Sequence, residues 1–428
     1  MHEPKRDSDS INMLINNALS GNEEFKTELR TLFDNKVVAL GITFNQACEL
    51  LELEYRGLNA LLDGTKKSLD LVGLLKLSGF LSLDYDKVFN LAAEAILKEN
   101  QNEIYRAKVR AFILEHFDLS LLRSLDIIQS KNDFSHIEKA LAEHFDLSSI
   151  IDLEVASVQA FYSQGTSNRI SVKSREYFKL RARDIFKKIN NPNPFNKEGL
   201  LEFIPHIRRY SMDYDNGLLE VLRQLYYLGV TVIFLPKQSK LGLRGATMRV
   251  NDKPCICLTD YKGFYPTLWF ALINEIFHVI FDWNDITEKR DHLSDEVLVD
   301  ELSEVQSFAS PKREVEANNF AREFMFQSDQ LAVISPKIDR KILVEDFAER
   351  NHVHASVIYA AYAFKNDDAS GKPWAKIHAE KKFPALQPLI DKLTGKMPTQ
   401  ASSNQYAEFY NTTIYQIDGK TKSNKSQS

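Results

Sequence analysis

The stretch "WFALINEIFHVIFDW", Trp269 to Trp283, sets polar, chemistry-bearing residues at helical spacing inside an apolar run. Asn274 and His278 are four apart, so on a helix they share one face, the spacing that two ligands of one metal ion require. Glu275 points slightly aside, where a carboxylate can take a proton from a metal-bound water. Zinc peptidases write this pattern H-E-x-x-H, with an imidazole at each outer position. Here the first is an amide. The residues leave three readings open: a working hydrolase with an odd ligand, an inactive one kept for another purpose, or a chance pattern on a core helix.

Zinc sites are built from imidazole nitrogen, thiolate or carboxylate oxygen, and a neutral amide oxygen is a feeble substitute. Without the ion, the pKa of water returns from about 7 to about 15.7, a difference of roughly 12 kcal/mol in forming hydroxide. Glu275 alone cannot supply that, so the sequence predicts no cofactor and no hydrolysis, with zinc only if the site is still competent. Asp282, one turn past His278, extends the same stripe.

Such residues need a fold to hold them. With 428 residues, 44% of them apolar, the chain has material for roughly two to four domains with real cores. A net charge of −5 argues against a chain-wide nucleic-acid coat while leaving room for one DNA-binding module. Cys48, Cys255 and Cys257 form neither a disulfide framework nor a C-x-x-C zinc pair, which points to a reducing cytoplasm. "KPCICLTD" alternates like a strand and puts both its thiols on one face, as small core residues. The polar start "MHEPKRDSDS" and the lack of any run of about 18 apolar residues predict neither a signal peptide nor a membrane span.

Along the chain, 1–24 reads as a loose arm and 25–91 as short amphipathic helices. Residues 92–155 read as a helical connector with a near-repeat, "LEHFDLS" then "AEHFDLS", in which Asp118 and Asp146 are expected N-caps. A basic connector, 156–210, follows. Its segment "NRISVKSREYFKLRARDIFKKI" carries eight Lys and Arg against Glu176 and Asp184 and reads as a solvated amphipathic helix or a phosphate-facing surface. Strand-like runs ("VTVIFLP", "ATMRV", "KPCICLT"), the Trp269–Trp283 helix, an acidic loop and the helix "KREVEANNFAREFMF" fill 211–334. A helical segment at 335–395 and a polar tail at 396–428 complete the chain.

In the first helical module, Thr43 caps a helix that runs to about Leu51, a break at Leu53–Glu54 follows, and Tyr55–Leu62 is a second helix ended by Gly64. Two short helices joined by a tight turn suit a helix-turn-helix. Through Ala47, Cys48, Leu50, Leu51, Leu53, Leu58, Leu61, Gly64 and "LLKLSGFLSLDYDKV" this module resembles the XRE/Cro-type helix-turn-helix family. The resemblance implies that Tyr55–Leu62 is the recognition helix, that Arg56 and Asn59 read guanine or adenine edges beside Tyr55, and that Lys66 and Lys67 meet phosphates. It implies a dimer on an operator with paired half-sites. Residues 29–80 hold six basic and six acidic side chains, so the module gains little from counterion release and needs dimerisation or the basic helix downstream.

"GLRGATMRVNDKPCICL", "TLWFALINEIFH" and "EVEANNFARE" resemble, in order and spacing, the ImmA/IrrE family of zinc peptidases, which often follow an XRE-type domain in regulators and antitoxins of mobile elements. The similarity spans about Leu218 to Met325 and continues loosely through "FAERNHVHASVIYAAYAFKND". It implies a mainly α, multidomain chain with one α+β zincin-like domain. Asn274 stands where the family has a His ligand, Glu275 matches the general base, His278 the second ligand, and Glu316 the third, with Glu314 as its rival. A shifted site of His278, Asp282 and Glu316 is one rescue, with Asn274 behind it. Recruitment of His352 or His354 is another. The function expected is a DNA-binding regulator or antitoxin-type repressor whose inactive peptidase-like domain senses a ligand or grips a partner such as a toxin or repressor. The alternative is a regulatory zinc metalloendopeptidase that cleaves a repressor or other protein; a third reading is an interaction protein that no longer binds DNA.

Overall fold

The structure is a computed structural model describing residues 26–66, 70–153, 166–236, 243–260, 263–287, 292–295, 311–366 and 371–416. Five short helices open it: α1 (Glu28–Leu40), α2 (Phe44–Leu51), α3 (Tyr55–Leu62), α4 (Leu71–Leu81) and α5 (Tyr85–Glu99). Their starts are local chemistry. Thr27 and Asp70 accept from first-turn N–H groups, and Thr43 forms a reciprocal capping box with Gln46. The α2–α3 turn is tight because Glu52 closes α2 in the left-handed region, at φ 52°. Leu51, Leu58, Leu61 and Leu62 then turn inward onto Phe33, Leu74, Leu77 and Val88, which make a small separate core. Gly64 is required there: its φ is +75°, and a Cβ would lie 2.5 Å from the Ala95 carbonyl of α5.

The chain divides into two units, 1–111 and 112–428, inside the next helix, α6 (Gln101–His116). The second unit begins with α7 (Leu119–Ser124), α8 (Phe134–Phe145), α9 (Thr166–Ile189), α10 (Lys197–Ile207) and α11 (Gly217–Tyr227). Strands β1 (Thr231–Phe234), β2 (Leu243–Val250) and β3 (Lys253–Leu258) precede α12 (Tyr265–Phe281), β4 (His292–Asp295) and α13 (Pro311–Met325). Six more helices follow: α14 (Ser328–Ile334), α15 (Lys341–Arg350), α16 (Ala355–Lys365), α17 (Lys372–Ala379), α18 (Gln387–Thr394) and α19 (Ser403–Phe409). The chain is thus mainly helical with one small sheet, and no helix among the described residues is long and apolar enough to cross a membrane.

The sheet has the order β1-β3-β2-β4; β1 pairs parallel with β3, and β2 pairs antiparallel with both its neighbours. The β2–β3 hairpin turns on Asn251 and Asp252, both at positive φ, as a two-residue hairpin loop demands. Cys255 and Cys257 are buried on β3, and burial pushes both thiols up in pKa, so they behave as small core residues. One core runs from Phe178 through the sheet to Tyr415, which joins segments that the sequence reads as separate.

Three expectations are corrected here. Asp146 is the left-handed C-cap of α8 rather than an N-cap, whereas Asp118 does cap α7. From Lys173 onward the basic helix α9 is no solvated face, because Tyr177, Phe178, Ile185 and Phe186 are buried and take Arg181 in with them. The polar tail begins later than 396. Its aromatic residues fold back: Tyr406, Tyr410 and Tyr415 are buried, and the Val232 and Phe234 N–H groups on the outer edge of β1 donate to the Tyr415 and Tyr410 hydroxyls at 3.0 and 2.7 Å. An edge strand must satisfy these groups somewhere, and tyrosines do so here. The arm at 1–24, most of the acidic loop and residues 417–428 lie outside the described residues.

Candidate functional site

Helix α12 is the central element of the second unit. Pro266 occupies its first turn, and every residue from Leu268 to Ile280 is buried. Polar residues inside such a helix must find partners, and the sheet and α13 supply them. Glu275 turns to β2, where the Thr247 hydroxyl donates to its carboxylate at 2.6 Å. Gly245 makes the space, since a Cβ there would meet the Glu275 carboxyl oxygen at 2.5 Å. We expect Gly245→Ala to push Glu275 off Thr247 and cost about 1–3 kcal/mol, read by denaturant unfolding.

The other stripe of α12 meets α13 rung by rung. Asn274 donates from its amide to Glu314 and Asn318, each at 3.4 Å. His278 holds its Nε2 3.5 Å from the Glu314 carboxylate and its Nδ1 2.7 Å from Asp282. Arg313 then binds Asp282 at 2.8 Å and Glu316 at 2.7 Å, with its guanidinium 4.6 Å over the Phe277 ring. The register follows from helical spacing: Glu314 and Asn318 are four apart and face α12, while Glu316 turns outward and is 44% exposed. Phe281 is 53% exposed at the end of the helix.

Burial is the largest influence on His278 and opposes its charge, but the Asp282 and Glu314 carboxylates together raise its pKa above the usual imidazole value. Burial likewise acts to raise Asp282, and contacts with His278 and Arg313 outweigh it, leaving that carboxyl below its ordinary value. The sign of the linkage is therefore fixed. The His278 contribution is full below 6.5 and is lost as pH rises through its raised folded pKa; the Asp282 contribution is full above 3.8 and is lost as pH falls through its lowered one. A melting curve taken from pH 6 upward should fall more steeply for the wild type than for His278→Gln.

These placements amend the predicted metal residues. Glu314, not Glu316, stands across from His278. Asp282 holds the far nitrogen of His278, and Arg313 puts a guanidinium between Asp282 and Glu316, where the shifted site would need its ion. His354 caps α16 and lies against Tyr265, at the opposite end of α12 from His278 and about 20 Å away by helical rise. His352 precedes that cap in a left-handed turn. His278 and Glu314 thus offer two donors suited to zinc, and Asn274 faces them with an amide. Among the described residues no three His, Cys, Asp or Glu side chains gather so as to hold a metal ion. Two such donors are one fewer than the three protein ligands a catalytic zinc takes.

In the first unit, Tyr55 is 54% exposed at the start of α3, its ring 4.8 Å from that of Phe44, and Arg56 is exposed beside it. Asn59 is placed differently from expectation. Its side chain accepts from Arg30 at 2.8 Å and donates to Asp63 at 2.9 Å, which ties it to α1 instead of aiming it outward. Lys66 is half-buried after α3, and Lys67 lies outside the described residues. Arg313, Asn318, Gly245 and Thr247 were missed from the sequence, although the spacing of Asn318 from Glu314 was a usable signal.

No family model, no curated protein and no solved structure matches this chain.

Proposed function

We propose that the chain is a DNA-binding transcriptional regulator or antitoxin-type repressor whose second unit binds a ligand or partner protein and does not hydrolyse it. The observation carrying this reading is the α2–α3 pair: two short helices joined by a three-residue turn, with Tyr55 and Arg56 outward at the head of the second. Arg56 has the reach and donors for a guanine edge, and Lys66 for a phosphate. Asn59 is reassigned to holding the bundle together. Hydrolysis is disfavoured by the amide at Asn274. A regulatory zinc metalloendopeptidase is the second reading, favoured by the way Asp282 orients His278 so that its Nε2 faces Glu314, as a metal-bound histidine is held.

Gel shift on DNA from the protein's own promoter tests the proposal. We expect a specific complex that Arg56→Ala weakens by about tenfold or more, while Lys66→Ala weakens binding to all sequences alike and lowers the salt slope by about one. Absence of any specific complex would favour the interaction-protein reading.

A further inference from the structure

The α12–α13 ladder continues past Asn318 to side chains of the opposite charge. Asn318 and Arg322 are four apart on α13 and share its face. Arg244, on β2, donates to the Asn318 carbonyl oxygen at 3.3 Å, so Asn318 brackets it in place. The Arg322 guanidinium lies 5.2 Å from the Phe364 ring, which Phe270 and Trp374 hold edge-on at 5.1 and 4.8 Å. Arg244 is thus held on Asn318, one helical turn from Arg322, so two guanidinium groups from different elements are neighbours, each seated by another side chain.

Arg223, Arg249 and Arg313 in the same unit each meet a carboxylate. Arg244 and Arg322 have none among the described residues, and the buried Nε of Arg244 has no hydrogen-bond partner there. Burial, and then the charge of Arg244, lower the pKa of Arg322. Neighbouring like charges repel, and an anion between them relieves that repulsion. Guanidinium forks match the two-oxygen edge of a carboxylate or a phosphate, so both groups share the needed chemistry. Glu314, the nearest carboxylate of the ladder, is kept on the far side of Asn318 by its contacts with His278 and Asn274.

We propose that Arg244 and Arg322 form an oxyanion receptor for the carboxylate or phosphate group of a ligand taken up by the second unit. The receptor stands whether or not the first unit reads DNA, so failure in the gel shift and failure here are separate results.

Calorimetric titration of the full chain with inorganic phosphate and with acetate, against chloride at matched ionic strength, tests it. We expect one of the two to bind with a Kd of about 1 mM or tighter, and Arg322→Gln to weaken it by about tenfold. Arg322→Lys should lose most of the affinity too, because an ammonium cannot make the paired contact. Preference for phosphate assigns the source as a phosphorylated ligand, and preference for acetate as a carboxylate. Binding no tighter than chloride for both anions overturns the proposal. So does anion binding unchanged in both Arg322→Gln and Arg244→Gln, which would place the ion elsewhere.

Discussion

Arg181→Met should destabilise the second unit by about 4 kcal/mol or more, the largest single-site loss expected in this chain. Arg181 is 3% exposed in the middle of α9. Its guanidinium donates to the His144 carbonyl at 2.8 Å, to the Ser403 hydroxyl and to the Ala401 carbonyl, and lies 5.2 Å over the Tyr406 ring. It thereby ties α8 and the C-terminal segment to α9. Methionine keeps much of the stem but strands two buried carbonyls at about 1–3 kcal/mol each and removes a desolvated cation–ring contact of about 2. Because the same segment brings Tyr410 and Tyr415 to the edge of β1, the damage should reach the sheet. Chemical denaturation measures the loss, and hydrogen exchange should show 403–415 opening first. Stability equal to wild type would mean that Arg181 is a passenger in the core.

Asn274→His is the second large effect. It puts an imidazole four residues before His278 and opposite Glu314, completing three donors of the kinds that zinc takes. The variant should bind about one zinc per chain, and Glu314→Gln in the same background should abolish it. Glu316→Gln should leave it intact, since that carboxylate faces Arg313 instead. If Asn274→His gains no metal, the approach of α13 to α12 is wrong for coordination and more than one side chain separates this cluster from a zinc site.

Local rules made much of this legible. The Thr43 cap, the α3 boundaries, the β1 run and the buried thiols follow from capping preferences and from alternation over a few residues. The stripe Asn274, His278 and Asp282 was readable from helical spacing. What spacing on one helix could not give was the rotation of its partner: whether Glu314 or Glu316 faces His278 depends on how α13 lies against α12. Asn59 shows the same limit, since its partner Arg30 sits 29 residues away on another helix. Arg181 misled because composition counts a basic helix as solvated, while burial is decided by the aromatic residues between the charges. The C-terminal segment misled in the opposite direction. It is polar on average, yet Tyr406, Tyr410 and Tyr415 carry it into the core.

Zinc content of the purified wild-type chain, measured after incubation with excess zinc and gel filtration, tests the central claim most directly. The amide at Asn274 predicts far less than one ion per chain. One tightly held zinc per chain, lost in both His278→Ala and Glu314→Gln, would contradict it and restore the hydrolase.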